Sequence, residues 1–420
     1  MTYEESLAWL HDQLIFGIKP GIERVKWLLN ELGNPQDRVK GIHIVGTNGK
    51  GSTLHYLQTI FSEAGYEVGT FTSPYIMDFR ERIAVNGEMI SKEDMLILFK
   101  RVKPLAERLP VETGYEPATE FEIITVMMFL YFGQLHPVDI AIIEAGLGGL
   151  YDSTNVFSPL LAICTSIGLD HQTILGQSYE EIAAQKAGVL KEGCPFIFAE
   201  DNQAVKAVFA DRAKETKSPT FELGCDFEVT GSSRAFDFHW QEISLERLSL
   251  KMLGQHQVRN AGLAIMSTLL LQKQYPKISE AIIRRALAKA SWLGRTELLA
   301  DNLMIDGAHN NESIAVLVAL LQKEFATKTI HILFAAIDTK PINGMLDQLA
   351  MVGEVTVTTF DYPNAVTLDQ YPKAYQRVAT FKDWLDQCHL SSSDDLYVIT
   401  GSLYFISQVR RERLTLNSDQ

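Results

Sequence analysis

The segment GIHIVGTNGKGSTLHYLQTIFSEAG, residues 41–65, decides the fold of this chain. Its first five residues are rich in β-branched side chains, which favours a strand at Gly41–Val45. A helical stretch follows at residues 52–64, and Gly65 stands where helices commonly end. A glycine-rich turn, residues 46–52, connects the two. This order predicts a strand–loop–helix unit.

Strands and helices alternate outward from this unit. A further strand is predicted at Val68–Phe71, and two more at residues 138–143 and 160–166. The stretch at 138–143 is apolar without alternation, which is typical of a parallel sheet covered on both faces. Helical patterns lie at residues 120–135 and 179–189. The alternation predicts an α/β fold with a doubly wound parallel sheet and helices on both faces.

Residues 219–251 break this alternation. They are strand-rich and contain a hairpin-like break at Gly231-Ser232-Ser233, so they predict a small antiparallel sheet. Two helical stretches follow it, at residues 259–274 and 279–290.

The α/β pattern restarts near residues 291–295. A helix is predicted at residues 312–324, and the strands of this part are predicted at residues 298–305, 329–335, 354–359 and 396–400. A chain of 420 residues is also too long for one ordinary domain. We therefore predict an N-terminal domain of residues 1–293 with the phosphate-loop sheet, and a smaller C-terminal α/β domain of residues 294–420.

The composition excludes several classes of protein. The chain is 46% hydrophobic and 21% charged, which is typical of a globular protein with a full core. Its net charge of −14 argues against a general nucleic-acid or membrane binder, because such proteins usually carry a basic field. The four cysteines show no CxxC spacing, and no signal peptide is visible at the start. We expect a cytoplasmic protein with no nucleic-acid or membrane partner.

The glycine-rich loop is a candidate triphosphate site. Backbone N–H groups of such a turn and the positive end of the next helix both attract phosphate. Ile44 and Gly51 occupy places that a regular Walker A motif gives to glycine and to serine or threonine. A glycine-rich turn without function is the alternative. The candidate nucleotide-binding residues of the loop are Thr47, Asn48, Gly49, Lys50, Gly51 and Ser52.

Polar side chains also follow other predicted strands. Glu144, Asp170, His171 and Ser73 each stand just after a buried stretch. Ligands of open α/β sheets bind at the carboxyl ends of the strands, and Mg²⁺ prefers oxygen ligands. Glu144 is therefore a candidate magnesium ligand. The alternatives are an acid that faces solvent and an ordinary surface histidine.

Two cationic features are ambiguous by sequence alone. Lys186 lies on the helix after His171, and nothing in the pattern separates it from an ordinary helix lysine. Arg80 and Arg82 would meet an anionic substrate, or they belong to a solvated charge run.

Together, these segments resemble the folylpolyglutamate synthase family within the Mur ligase superfamily. The resemblance covers nearly the whole chain, from FGIKPGIERV at 16–25 to TGSLYF at 400–405. The motifs between them are GTNGKGS (46–52), TSPY (72–75), FRERI (79–83), TEFE (119–122), EAGLGG (144–149), DSTNV (152–156), GLDH (168–171), QKAG (185–188), GQHQVRNA (254–261) and DGAHN (306–310).

The resemblance implies an ATP- and Mg²⁺-dependent ligase that joins L-glutamate to folate or dihydropteroate. The loop would bind the β- and γ-phosphates, and further nucleotide contacts would come from Asn260, Arg295 and Asp306. The positions that match the family's ligands for one or two Mg²⁺ ions are Ser73, Glu144, His171 and Lys186, the last as a carbamate. The catalytic candidates are Lys50, Lys186 and His309. Residues 1–293 would then be the ATP-binding domain and 294–420 the ligase domain.

Residues 17–21, Arg82 and Thr119–Glu122 match regions near the family's folate site. The substrate candidates are Pro74, Arg82, Thr119, Glu120, Phe121, Glu122, Asp152 and Ser153. The departures from the family pattern are Leu150, Tyr151, Leu293, Asn311 and Thr339-Lys340. None of them removes a metal or phosphate residue.

Two other functions remain alternatives. One is a Mur-type ligase that acts on a UDP-linked sugar peptide, and the other is an ATPase module without ligase chemistry. Whether the enzyme also adds the first glutamate to dihydropteroate stays open. We expect a monomer, because no stretch has the pattern of an extended apolar interface.

Overall fold

A computed structural model describes residues 2–17, 21–390 and 394–418 of the chain. Residues 18–20, in the segment expected near the folate, therefore lie outside the described residues. The chain divides into two compact units. The first contains the described residues of 1–231, 235–249 and 258–290, and the second contains those of 232–234, 250–257 and 291–420.

The first unit is built on an eight-stranded sheet. Its strands are β1 (Gly41–Val45), β2 (Val68–Phe71), β3 (Ile83–Val85), β4 (Glu88–Met89), β5 (Ile140–Glu144), β6 (Leu161–Cys164), β7 (Phe196–Phe198) and β8 (Thr220–Glu222). They lie in the order β4-β3-β2-β5-β1-β6-β7-β8. The β2–β3 and β3–β4 pairs are antiparallel, and the others are parallel. The predicted α/β fold with a parallel sheet is confirmed.

The helices of this unit cover the sheet. They are α1 (Tyr3–Asp12), α2 (Glu23–Glu31), α3 (Lys50–Glu63), α4 (Lys92–Thr113), α5 (Glu120–Leu130), α6 (Gln172–Leu175), α7 (Tyr179–Ala187), α8 (Gln203–Glu215), α9 (Gln255–Leu271, whose first residues belong to the second unit) and α10 (Glu280–Lys289). Short helical turns occur at Gln13–Phe16, Pro35–Arg38, Phe79–Arg82 and Tyr131–Leu135. Alternate residues of β5, Ala141 and Ile143, share a core with α2, α4 and α5. Strand residues alternate between faces, and α3 packs against the same strand, so helices lie on both faces.

The small antiparallel sheet is shorter than the sequence predicts. Its strands are β9 (Glu228–Ser232), β10 (Ala235–Trp240) and β11 (Ile243–Leu248), in the order β11-β10-β9. Residues 219–251 do not all belong to it, because β8 pairs in parallel with β7 and ends the large sheet instead. The local pattern predicts a strand there, but pairing partners are chosen by tertiary contacts.

The second unit holds a six-stranded sheet. Its strands are β12 (Glu297–Ala300), β13 (Leu303–Ile305), β14 (Thr329–Phe334), β15 (Glu354–Val357), β16 (Gln376–Arg377) and β17 (Asp395–Thr400), in the order β12-β13-β17-β14-β15-β16. Its helices are α11 (Asn311–Glu324), α12 (Ile342–Leu349), α13 (Phe381–Leu385) and α14 (Leu403–Ser418), with a short turn at Leu368–Gln370. The predicted single strand at 298–305 is wrong, because Asp301 and Asn302 turn the chain into an antiparallel hairpin.

The parallel pairing sets the position of the site. Ile44 pairs with Glu144, Val45 with Cys164, and Phe71 with Ile143. Four strands therefore end at the same edge of the sheet, and their following loops lie side by side. Among the described residues, every helix is too short or too polar to cross a membrane.

Candidate functional site

The glycine-rich loop is fixed by the segment that follows β6. Ser166 accepts hydrogen bonds from the Thr47 N–H at its carbonyl (2.9 Å) and from the Asn48 N–H at its hydroxyl (3.0 Å). The Thr165 hydroxyl donates to the Asn48 carbonyl at 2.6 Å, and the Gly168 N–H donates to the Thr47 hydroxyl at 2.9 Å. The backbone N–H groups of Thr47 and Asn48 therefore hold the loop in place by donating to Ser166.

The anion-binding end of the loop is the start of α3. The helix begins at Lys50, two residues before the predicted Ser52, and Gly49 precedes it with a φ of 88°. N–H groups of a first helical turn have no acceptor inside the helix, and the helix dipole makes this end positive. Lys50 and Gly51 stand at this end, so the geometry suits a phosphate group.

Asn260 of α9 lies against this loop. A Cβ atom added to Gly49 would lie 2.6 Å from Asn260 Oδ1, and one added to Gly46 would overlap the Thr165 hydroxyl. Both glycines also have a positive φ, 88° at Gly49 and 150° at Gly46. Glycine is therefore required at both places. The close approach brings a predicted nucleotide residue from a distant part of the chain to the loop.

Lys50 and Glu144 meet at the edge of the sheet. Lys50 Nζ lies 3.8 Å from Glu144 Oε1 and donates to the carbonyls of Gly46 and Thr47 at 3.0 and 3.3 Å. The other carboxylate oxygen of Glu144 accepts the Ser73 N–H at 3.4 Å. Glu144 is only 5% exposed. Three sequence-predicted residues, from three separate segments of the chain, thus share one small region.

Lys186 is buried in the last turn of α7. Burial, together with the positive charge of Lys50, lowers the pKa of its ammonium group to about 8. The turn after Glu144 packs directly on this part of the helix, since a Cβ on Gly149 would lie 2.8 Å from the Lys186 carbonyl oxygen. A buried lysine close to another cation has a larger neutral fraction than an exposed one.

His171 differs from the other metal candidates in its exposure. It has a left-handed backbone with a φ of 52° and precedes α6. Its side chain is 46% exposed, and Nε2 lies 3.9 Å from Asp170 Oδ1. Within the described ranges there is no group of three or more His, Cys, Asp and Glu side chains that could hold a metal.

Arg82 lies in an aromatic cage beside the sheet. Its guanidinium carbon is 5.2 Å from the Phe79 ring centroid, 5.4 Å from that of Tyr75 and 6.0 Å from that of Phe121. Arg82 Nη2 also donates to Glu120 Oε1 at 3.2 Å. Buried cation–π contacts of this kind stabilise a charge away from water. The predicted substrate residues Arg82, Glu120 and Phe121 are therefore neighbours.

The cage adjoins the loop after β5. A Cβ on Gly146 would lie 2.5 Å from the Phe121 ring, so the ring packs on the glycine backbone. On its other side, Glu120 Oε2 lies 3.0 Å from Nδ1 of His11, a residue that the sequence did not single out. A histidine more than one hundred positions away carries no local signal.

Other predicted substrate residues are engaged in holding the structure. The Thr119 hydroxyl caps α5 by accepting the Glu122 N–H, and the Glu122 carboxylate accepts the Thr119 N–H at 2.8 Å. Arg24 also forms an ion pair with Glu122 at 2.8 Å. Pro74 follows Ser73 through a cis peptide bond.

The DSTNV motif forms a buried hydrogen-bond network. Asp152 accepts the N–H groups of Leu147 at 2.8 Å and of Thr154 at 2.9 Å, and burial raises the pKa of its carboxyl group. The Thr154 hydroxyl contacts Nε2 of His43 at 2.8 Å, and burial lowers the pKa of that imidazole to about 3. Ser153 is buried as well. This network supports the turn that follows Glu144.

The predicted residues of the second unit form their own cluster. Asp306 accepts the N–H groups of Thr296 at 2.8 Å and Ala308 at 2.9 Å, and burial raises the pKa of its carboxyl group while Arg295 opposes the rise. His309 Nδ1 lies 2.7 Å from the Gly307 carbonyl oxygen. Because a carbonyl only accepts, Nδ1 carries the proton in this contact.

Sequence reasoning missed Thr165 and Ser166, which hold the loop, and His43, which contacts Thr154. Thr165 and Ser166 stand between β6 and the GLDH motif, where serine and threonine are common. The only available signal was the position of these hydroxyls at the end of a strand next to the loop-bearing strand.

The chain has relatives among known proteins. Residues 44–268 match the Mur ligase middle domain family. The chain is 39% identical to the dihydrofolate synthase/folylpolyglutamate synthase of Bacillus subtilis (strain 168), over 98% of this chain and 99% of that protein. These matches confirm the family resemblance of the motifs.

Solved structures of folylpolyglutamate synthases have a similar fold. The apo form of L. casei FPGS, a folylpolyglutamate synthase, superimposes with a TM-score of 0.87 at 32% identity, covering 99% of this chain and 100% of that one. An FPGS complex with AMPPCP and folate gives a TM-score of 0.85 at 31% identity, covering 98% and 99%.

Proposed function

Because this chain belongs to the folylpolyglutamate and dihydrofolate synthase family of Mur ligases, we propose that it uses ATP to join L-glutamate to the carboxylate of a folate. The observation that carries the proposal is the meeting of Lys50, Glu144 and Ser73 beside a glycine-rich loop at a helix N-terminus. The B. subtilis relative bears both synthase names, so we extend the proposal to dihydropteroate as a second acceptor.

The chemistry requires an activated carboxylate. The acid's oxygen attacks the γ-phosphorus of ATP, which gives an acyl phosphate and ADP. The amine of glutamate then attacks the acyl carbon, so that phosphate leaves and an amide forms. Such phosphoryl transfer depends on positioning and on charge stabilisation more than on covalent help from the protein.

We propose that the start of α3 and Lys50 bind the β- and γ-phosphates. The N–H groups of the first helical turn and the Lys50 ammonium group supply positive charge on the side of the loop that Thr165 and Ser166 do not use. The proximity of Asn260 to Gly49 supports its assignment to the nucleotide. We assign Arg295 and Asp306 to nucleotide binding and His309 to the reacting groups by resemblance alone.

The residues also suit Mg²⁺. Glu144 offers a buried carboxylate, which is the ligand type that Mg²⁺ prefers, and the Ser73 hydroxyl and His171 would complete the set with Lys186. When bound, one or two Mg²⁺ ions would neutralise phosphate charge. Addition of CO₂ to Lys186 as a carbamate would convert a cation into an oxygen ligand. The lowered pKa of this buried lysine supports that step, because only the neutral amine reacts with CO₂.

We propose that the folate lies near the Arg82 cage. Phe121 and Tyr75 offer aromatic faces, and Arg82 offers a cation for an anionic acceptor. Pro74 adjoins this region in sequence, Asp152 supports the neighbouring turn, and Ser153 is buried next to Asp152 in the chain. We further propose a cytoplasmic monomer with a functional domain boundary near residue 293.

The decisive experiment supplies purified protein with ATP, Mg²⁺ and glutamate, together with either a tetrahydrofolate or dihydropteroate. Mass spectrometry should detect one added glutamyl residue on each acceptor, with ADP formed in equal amount. ADP release that depends only on a UDP-linked sugar peptide would favour a different Mur ligase. ADP release without any acceptor or glutamate would favour a plain ATPase.

A further inference from the structure

The turn that carries Arg295 has a backbone that needs support. Gly294 has a φ of 67°, and Thr296 has a φ of 45°, which is unfavourable for a β-branched residue. The Gly294 N–H donates to Glu297 Oε2 at 2.8 Å, and the Thr296 N–H donates to Asp306 Oδ2 at 2.8 Å. Two carboxylates thus hold a strained turn in one shape.

The turn is also joined to the segment of Asp306. The Gly307 N–H donates to the Gly294 carbonyl at 2.8 Å. A Cβ on Gly307 would lie 2.8 Å from Arg295 Nη1 and would overlap the Leu403 side chain. The guanidinium group of Arg295 therefore rests on the backbone of Gly307, and α14 supports that backbone from another direction.

One face of α14 contacts both segments. Arg410 Nε donates to Glu297 Oε1 at 2.9 Å, and the two side chains are only 17% and 19% exposed. Leu403 and Arg410 are seven positions apart, so they lie on the same side of the helix. Glu297 thus uses one oxygen for the Gly294 N–H and the other for Arg410.

We propose that Arg410 is a positioning residue that sets the affinity for the nucleotide by fixing Glu297 and, through it, the turn of Arg295. The inference rests on the proposed function, since it takes Arg295 and Asp306 as nucleotide contacts. Arg410 holds the carboxylate of Glu297 in the orientation that accepts the Gly294 N–H. Without this partner the Glu297 carboxylate rotates towards solvent. The turn at residues 294–296 then relaxes, and Arg295 loses its fixed position over Gly307.

The test compares three variants of the full chain. Arg410→Ala should raise the KM for ATP and the Kd for ADP by about tenfold, because a small displacement of a binding group is costly. The kcat at saturating ATP and the KM for glutamate should stay within about twofold of the wild type. Arg410→Lys should recover part of the affinity. Arg411→Ala is the matched control, since Arg411 bonds Ser407 of its own helix and should leave the affinity for ADP unchanged.

A second substitution covers the case in which Arg410→Ala does not fold. Glu297→Gln keeps an acceptor for the Gly294 N–H but loses the ion pair with Arg410, and it should raise the Kd for ADP in the same way. Wild-type ADP affinity in a folded Arg410→Ala or Glu297→Gln variant would overturn the inference. An equal loss of affinity in Arg411→Ala would overturn it as well. ADP binding is measured by calorimetry without ligation, so failure of the proposed function, seen as no amide product from the wild type, is a separate result.

Discussion

At the scale of single residues, Lys50 carries the largest share of the proposed chemistry. Its ammonium group is held between the loop carbonyls and Glu144, where it would oppose the charge of the transferring phosphate. We expect Lys50→Ala to lower kcat by roughly 10²–10³, which corresponds to about 3–4 kcal/mol of transition-state stabilisation. Steady-state ADP release measures this. The exposed Lys40 provides a control, and equal turnover in Lys50→Ala and Lys40→Ala would refute the assignment.

Lys186 gives a second residue-scale prediction. If a carbamate on this buried lysine acts as an oxygen ligand, Lys186→Ala should lose most activity, and millimolar acetate or propionate should restore part of it. Amide formation with and without the added acid is the measurement. Lys214→Ala, on the exposed face of α8, should respond to neither change. Full activity in Lys186→Ala would return this residue to an ordinary buried lysine.

The buried imidazole of His43 makes the stability of the fold depend on pH. Its pKa is about 3 in the native state against about 6.5 in the unfolded chain. Below pH 6.5 the unfolded state binds a proton that the native state rejects, so the free energy of unfolding falls as the pH falls. The loss from His43 is about 1.4 kcal/mol per pH unit, or roughly 2 kcal/mol at pH 5.

Urea denaturation at pH 7 and pH 5 measures this loss. His43→Gln keeps an N–H group for Thr154 but does not titrate, so its stability should fall less between the two values of pH. His55, whose pKa burial lowers to about 4, contributes in the same direction in both proteins and cancels in the comparison. An identical drop in the variant and the wild type would contradict the role given to His43.

At the scale of elements, the two glycines that flank α3 have different roles. Gly49 starts the helix with a φ of 88° and lies against Asn260, whereas Gly65 follows its end with a φ of 76° and open space around it. Gly49→Ala should abolish nucleotide binding because its Cβ forces the loop and α9 apart. Gly65→Ala should cost about 1 kcal/mol of stability from backbone strain alone and leave binding intact.

Calorimetric titration with ADP, together with thermal melting, separates the two effects. A Gly49→Ala protein that binds ADP like the wild type would show that the loop tolerates displacement. A Gly65→Ala protein that loses binding would show that the effect is general to the helix rather than local to the loop.

At the scale of the whole molecule, each unit carries one part of the proposed nucleotide contacts on a different sheet. In the first unit the glycine-rich loop follows β1 and Asn260 comes from α9, and in the second Asp306 follows β13 and Arg295 lies in the turn before β12. The net charge of −14 does not prevent binding of an anionic substrate, because local cations such as Lys50 and Arg82 decide that binding.

The sequence by itself determined the α/β class, the loop and the order of the motifs. Apolar runs such as 138–143 and glycines such as Gly49 report local backbone requirements, and these are written in neighbouring residues. The tertiary structure alone decided that β8 joins the large sheet, that Thr165 and Ser166 anchor the loop, and that Arg82 lies among aromatic rings. Those outcomes depend on contacts between segments far apart in the chain, and periodicity carries no record of which distant surfaces will meet.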